Sequence, residues 1–145
     1  MARGSERETV AFSEVDSERF GVRVARANVE GRTLSQALEF CAAERINLLI
    51  ARCTTTELRA AQKMECLGFL LMDTLVYYSF DLVKRAVPDD SGRVRKFLPE
   101  DKQQIETVAA AAFAGYYGHY HADPRLDRKK CDEGYVSWAV RSCSQ

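Results

Sequence analysis

This chain has no excess charge of either sign. Lysine plus arginine and aspartate plus glutamate number 21 each, so the formal net charge is zero. Duplex nucleic acid draws much of its affinity from phosphate neutralisation, and a balanced surface excludes it as a general partner. No apolar run approaches the roughly 18 residues a membrane-spanning helix requires, so no membrane partner is expected. The opening residues Met1-Ala-Arg-Gly-Ser-Glu-Arg-Glu8 are polar with no apolar core behind them, which excludes a secretory signal. A disordered lead-in over residues 1–15 is expected instead. The cysteines, Cys41, Cys53, Cys66, Cys131 and Cys143, are odd in number, and no two stand at C-x-x-C spacing. That argues against a disulfide framework and for reduced, mostly buried thiols in a cytoplasmic protein. Low-complexity segments are also absent. What remains is a chain of 145 residues that is 46% hydrophobic, enough for a real core in one domain or one and a half.

The first half alternates strand and helix signals. Val22 to Val29 alternates apolar and polar residues, as a half-buried strand does. Thr33-Leu-Ser-Gln36 fits a capping box, and behind it Leu34, Ala37, Leu38 and Cys41 share one helical face. Leu48-Leu-Ile-Ala51 has the length and composition of a strand covered on both faces in a parallel βαβ pairing. Thr54-Thr-Thr-Glu57 offers a second capping box. The helix after it turns Ala60, Ala61, Met64 and Leu67 inward and ends at Gly68. Phe69 to Leu82 then predicts a long strand with Thr74, Val76, Tyr78 and Phe80 on one face. An N-terminal α/β domain over 16–83, βαβαβ with a mixed sheet, is the expectation.

Residues 84–92 hold Pro88, Asp89, Asp90, Ser91 and Gly92 and form the linker candidate. The second domain, 93–145, reads β-α-loop-α. Val94 to Phe97 suggests a short strand, and Pro99 with Glu100 and Asp101 suits a helix start. Ile105, Val108, Ala109, Ala112 and Phe113 make a helical face closed by Gly115. A last helix is expected from Asp132 towards Arg141, with Val136, Ala139 and Val140 inward. Tyr135 and Trp138 are expected between helix and sheet.

The loop between these helices carries the chemistry-bearing residues. His119-Tyr120-His121 with Asp123 has the H-x-H spacing of a zinc pair, but nothing completes a four-ligand set, so no metal is expected. Tyr116, Tyr117, His119 and Tyr120 are the candidate acceptor-binding residues. Sugars pack on aromatic faces, and phenols and imidazoles bond hydroxyls. The alternative is that these rings stabilise the helix-helix corner. Cys131 lies beside Lys129 and Lys130, which favour a thiolate, yet no third group orients a Cys–His pair, so no catalytic residue is assigned. Arg125, Arg128, Lys129 and Lys130 make a small basic patch suited to a nucleotide diphosphate or simply to a solvated turn.

Several segments share a family pattern. Asp16-Ser-Glu-Arg-Phe-Gly21 precedes a strand. Glu65-Cys-Leu-Gly-Phe69 links a helix to a strand. Leu98-Pro-Glu-Asp101 leads into an alanine-rich helix ending in Phe113, followed by the Tyr/His loop, Asp123-Pro124, and Tyr135-x-x-Trp138. In order and spacing this resembles the GNAT superfamily of N-acetyltransferases, particularly those acting on nucleotide-linked amino sugars. The resemblance implies acetyl transfer from acetyl-CoA to an amine, with residues 93–145 forming the first strand and first two helices of the catalytic domain. The family holds the acyl-CoA pyrophosphate on an Arg/Gln-x-x-Gly-x-Gly/Ala loop between strand and helix. No such loop stands in this sequence, and Gln145 comes where the catalytic sheet would begin. The resemblance therefore implies a chain that does not bind acetyl-CoA alone. Its expected partner is a complementing C-terminal chain or a second copy. A non-catalytic assembly module, pairing through its unfinished sheet, is the other reading.

Overall fold

A computed structural model describes residues 9–30, 33–81, 83–84 and 95–143. The fold is α/β: a β-α-β-α-β unit with a mixed three-stranded sheet, followed by helices. The chain divides into two compact units, Met1–Leu71 and Met72–Gln145. The expected linker, 84–92, lies outside the described residues except for Lys84.

In the first unit the order is β1 (Val10–Phe12), α1 (Glu14–Phe20), β2 (Val24–Asn28), α2 (Thr33–Ala43), β3 (Leu48–Arg52) and α3 (Leu58–Cys66). β2 is central. It runs antiparallel to β1, with Ala11 opposite Arg26, and parallel to β3, with Arg26 opposite Ile50. Alternate residues of a strand face opposite ways. Ala27, with Val29 just beyond the strand, packs against Leu34, Ala37, Ala60 and Met64 of α2 and α3. On the other face Arg26 reaches α1, where its Nε donates to Asp16 at 2.6 Å. Ser13 Oγ and Arg19 Nη1 also donate to the Asp16 carboxylate, at 2.7 and 3.1 Å. Gly21, at φ +70°, ends α1 and returns the chain to β2.

Several expectations change here. Residues 10–15 of the anticipated lead-in form β1 and the start of α1, while residues 1–8 lie outside the description. Thr33 opens α2, but its hydroxyl accepts from Glu30 N–H at 2.8 Å and so shapes the preceding turn rather than a capping box. Thr54 pairs with Thr56 at 2.8 Å, and Glu57 precedes α3 without a side-chain cap. β3 is half-buried rather than covered on both faces, and among the described residues it is an edge strand. The long strand expected from Phe69 is not formed: residues 69–81 belong to no helix or strand, and Leu82 lies outside the description. The third strand of the sheet is β1 instead. The thiols are also less buried than expected. Cys131 is buried and Cys41 half-buried, while Cys53, Cys66 and Cys143 are exposed.

In the second unit a short 3₁₀ turn, Pro99–Asp101, leads into α4 (Lys102–Ala112), then α5 (His119–Ala122) and α6 (Arg128–Cys143). Val94 is outside the description, and Arg95 to Phe97 form no strand. Arg95 instead clasps Asp101 with two nitrogens, at 2.6 and 2.7 Å, while Leu98 N–H donates to the same carboxylate at 2.9 Å. Arg95 first, then the Leu98 amide, hold the Asp101 carboxyl down to about 2. Gly115, at φ +74°, turns the chain after α4. α6 starts one turn earlier than its apolar spacing predicted, because Asp127 caps it by accepting from Lys130 N–H at 2.9 Å. No described helix is long and apolar enough to cross a membrane.

Candidate functional site

The aromatic segment between α4 and α6 is not an open loop: Gly118 starts a helical turn, α5, that carries the H-x-H pair. Tyr135, on α6, is the hub. Its ring stacks on Phe113 at 5.0 Å and on His121 at 5.8 Å, with planes 7° apart in the second pair. Tyr116 meets it edge-on at 5.0 Å, and Tyr120 and His119 stand 6.0 and 6.4 Å away.

His121 is fixed at both ring nitrogens. Gly118 N–H donates to Nδ1 at 3.3 Å, which assigns the proton to Nε2; that nitrogen donates to Asp132 Oδ1 at 2.9 Å. With both nitrogens engaged, the ring ties α5 to α6 and offers no lone pair to a substrate. Asp123 is likewise committed. It is buried, Arg125 Nε and Nη2 donate to it at 2.8 and 2.5 Å, and those bonds hold its carboxyl below the usual range despite burial. Among the described residues no histidine, cysteine and carboxylate group is arranged to hold a metal.

The four sequence-derived candidates separate into two pairs. Tyr116 and Tyr117 are exposed, and the Arg128 guanidinium stands 5.8 Å from the Tyr117 ring. Tyr120 is buried and His119 half-buried, so both present little surface to an acceptor. Cys131 is fully buried, which removes it as an accessible nucleophile. Trp138 stands out at 58% exposed rather than between helix and sheet. An open groove of about 660 Å³ runs between α4 and α6, lined by Ala110, Phe113, Asp132, Val136 and Val140 among others. None of the four candidates lines it. The residues that organise the corner, Gly118, His121, Asp132 and Tyr135, are not among the four acceptor candidates; the sequence offers His121 only as half of the H-x-H pair and Tyr135 only as a packing residue. Their signal is weak, since His121 and Asp132 are eleven apart and on different helices.

Burial pushes the Tyr135 phenol up to about 12, with Tyr116, Tyr120, Asp73 and Cys131 adding smaller repulsions. Its oxygen is buried and has no hydrogen-bond partner among the described residues. The folded state therefore favours the neutral phenol. That contribution is complete below the ordinary value of 10.0 and is lost as pH rises from there through about 12. Tyr135→Phe should leave melting near neutral pH unchanged or slightly raised, because the deleted hydroxyl makes no bond. It should also flatten the alkaline fall in melting temperature. A variant that melts well below the parent at pH 7 would show that the oxygen is bonded after all.

No protein-family model matches this chain, and neither a curated protein nor a solved structure matches it.

Proposed function

We propose that this chain is the N-terminal and acceptor-side part of a GNAT-like N-acetyltransferase, contributing to acetyl transfer from acetyl-CoA to an amine without seating the cofactor itself. Amino-sugar nucleotides are the acceptor class to test first, and thiols that form no disulfide among the described residues suit a cytoplasmic setting. The order of elements supports this reading. α4, the aromatic turn and α6 follow one another as the first two helices of that family do, although residues 95–97, where its first strand is expected, form none. The observation that carries the acceptor role is the exposure of Tyr116 and Tyr117 on the rim of a rigid aromatic corner, with Arg128 beside Tyr117. A sugar ring has faces to stack on there, and a diphosphate has a guanidinium.

The same corner does not fit acyl-CoA. Gly115 to Gly118 follows a helix rather than a strand, and the space where a Gly118 side chain would stand is filled by Tyr135 and Tyr116. A phosphate cannot approach the Gly118 backbone as it approaches a glycine-rich cradle. Calorimetry on the isolated chain should show no uptake of acetyl-CoA. A nucleotide-linked amino sugar should bind weakly, and Tyr117→Ala should abolish that binding. Micromolar affinity for acetyl-CoA would overturn the division of labour, and acceptor binding indifferent to Tyr116→Ala and Tyr117→Ala would overturn the site.

A second reading, a non-catalytic assembly module, is favoured by a separate observation. Both outer strands of the sheet are open at one edge among the described residues, and residues 69–81 carry exposed Leu70, Leu71, Leu75, Val76, Tyr77 and Tyr78 outside any sheet.

A further inference from the structure

The exposed apolar run in the second unit has a self-complementary pattern. Met72, Thr74, Val76, Tyr78 and Phe80 share one face of the strand this segment would make, and Asp73, Leu75, Tyr77 and Ser79 share the other. The composition is β-branched and aromatic, which favours strand pairing. Yet among the described residues the segment joins no ladder, and Val76, Tyr77 and Tyr78 are 68%, 82% and 94% exposed.

We infer that residues 72–80 pair with the same residues of a second copy as an antiparallel two-fold ribbon centred on Val76. This rests on the assembly reading and names its partner; it does not depend on acetyl transfer. Charge selects the arrangement. A parallel in-register pair sets Asp73 against Asp73 and Asp81 against Asp81, and like charges directly opposite are destabilising. An antiparallel pair centred on Tyr77 sets Asp73 against Asp81. Centring on Leu75 faces Asp73 with the Tyr77 ring and Asp81 with Phe69. Centring on Val76 faces each Asp73 with a Ser79 hydroxyl, which can donate to it. It also matches Met72 with Phe80 and Thr74 with Tyr78 across the strands, the aromatic and β-branched pairs that hold sheets together. Such an isologous contact closes at two copies.

The available surface is of the right order. Aromatic side chains bury roughly 150–250 Å² each, so Tyr77 and Tyr78 with Leu75 and Val76 bring several hundred Å² per copy, against about 800 Å² per partner in a standard interface.

Light scattering across a dilution series tests this on the full chain. The parent should be a dimer. Val76→Lys places two ammonium groups at the two-fold axis and should weaken the dimer by at least about a hundredfold. Ser79→Lys sets a cation opposite each Asp73 and should tighten the dimer by about threefold to tenfold. Both sites are exposed, so circular dichroism should show an unchanged fold. A dimer that Val76→Lys leaves intact overturns this pairing while sparing the assembly reading, and points to the open edges of β1 or β3. A dimer that Ser79→Lys weakens overturns the register. A monomeric parent at high concentration overturns both, and none of these outcomes bears on the acetyl-CoA titration.

Discussion

Gly118→Ala should cost the second unit about 3 kcal/mol, at or beyond the upper end of what overpacking a well-packed site usually costs. Gly118 is buried, and its backbone is extended at φ −112° and ψ −173°, a conformation alanine adopts freely. The penalty is therefore purely one of space. An added β-carbon would overlap the Tyr135 hydroxyl, with Tyr116 Cε1 at 2.6 Å and Tyr135 Cζ at 3.1 Å. Tyr135 cannot retreat easily, because its ring is held between Phe113 and His121. The backbone cannot shift freely either, since Gly118 N–H is bonded to His121. For a unit of this size the loss corresponds to a fall in melting temperature of roughly 12–24 °C. Near-ultraviolet circular dichroism would follow it through the clustered tyrosines.

A companion variant separates this mechanism from general fragility. Tyr135→Phe deletes the atom nearest the intruding carbon, and Tyr116 is exposed enough to swing aside. The double variant should recover about 1–2 kcal/mol of the loss, a coupling that only neighbours in direct contact show. Additive effects, or an alanine variant within about 0.5 kcal/mol of the parent, would mean that Gly118 is not packed against Tyr135.

The parts of the fold legible in the sequence are those whose burial follows a local period. Ala27 on a strand with Val29 just past its end, Leu34 and Ala37 one turn apart, and Ala60 and Met64 four apart all belong to the observed core. β1 and α1 carry no comparable signal. Val10–Phe12 is too short to show alternation. Glu14–Phe20 is fastened by Asp16 and ended by Gly21 rather than by an apolar stripe. The reverse holds at residues 69–81, where the composition is β-branched and aromatic but no described strand pairs with the segment, and a strand forms only with a partner. The site shows the same division. The cluster of rings from Tyr116 to His121 is evident in sequence. Its centre, Tyr135, becomes evident only once α5 and α6 lie together, bringing distant positions onto one ring. Asp127 is a further case, because the α6 start depends on one capping carboxylate placed ahead of three basic residues that look like a solvated turn.

Asp16→Ala should destabilise the first unit by about 3 kcal/mol, the lower end of what breaking a buried ion pair costs. The carboxylate is 1% exposed and accepts from Ser13, Arg19 and Arg26, so it joins the start of α1, its last turn and the central strand. Truncation removes the Asp16 charge from beside two guanidinium groups. Arg19 feels this most, since its side chain is 11% exposed, whereas Arg26 at 39% can turn to water and moderates the loss. Asp16→Asn keeps the shape and one acceptor and should cost about half as much. Arg26→Ala should cost less again, because Asp16 keeps Ser13 and Arg19. Hydrogen exchange localises the effect. Amides of β2 and α1 should lose protection in Asp16→Ala, while those of α6, in the other compact unit, keep theirs. A loss under about 1 kcal/mol, or equal loosening of α6, would show that this carboxylate does not fasten α1 to the sheet.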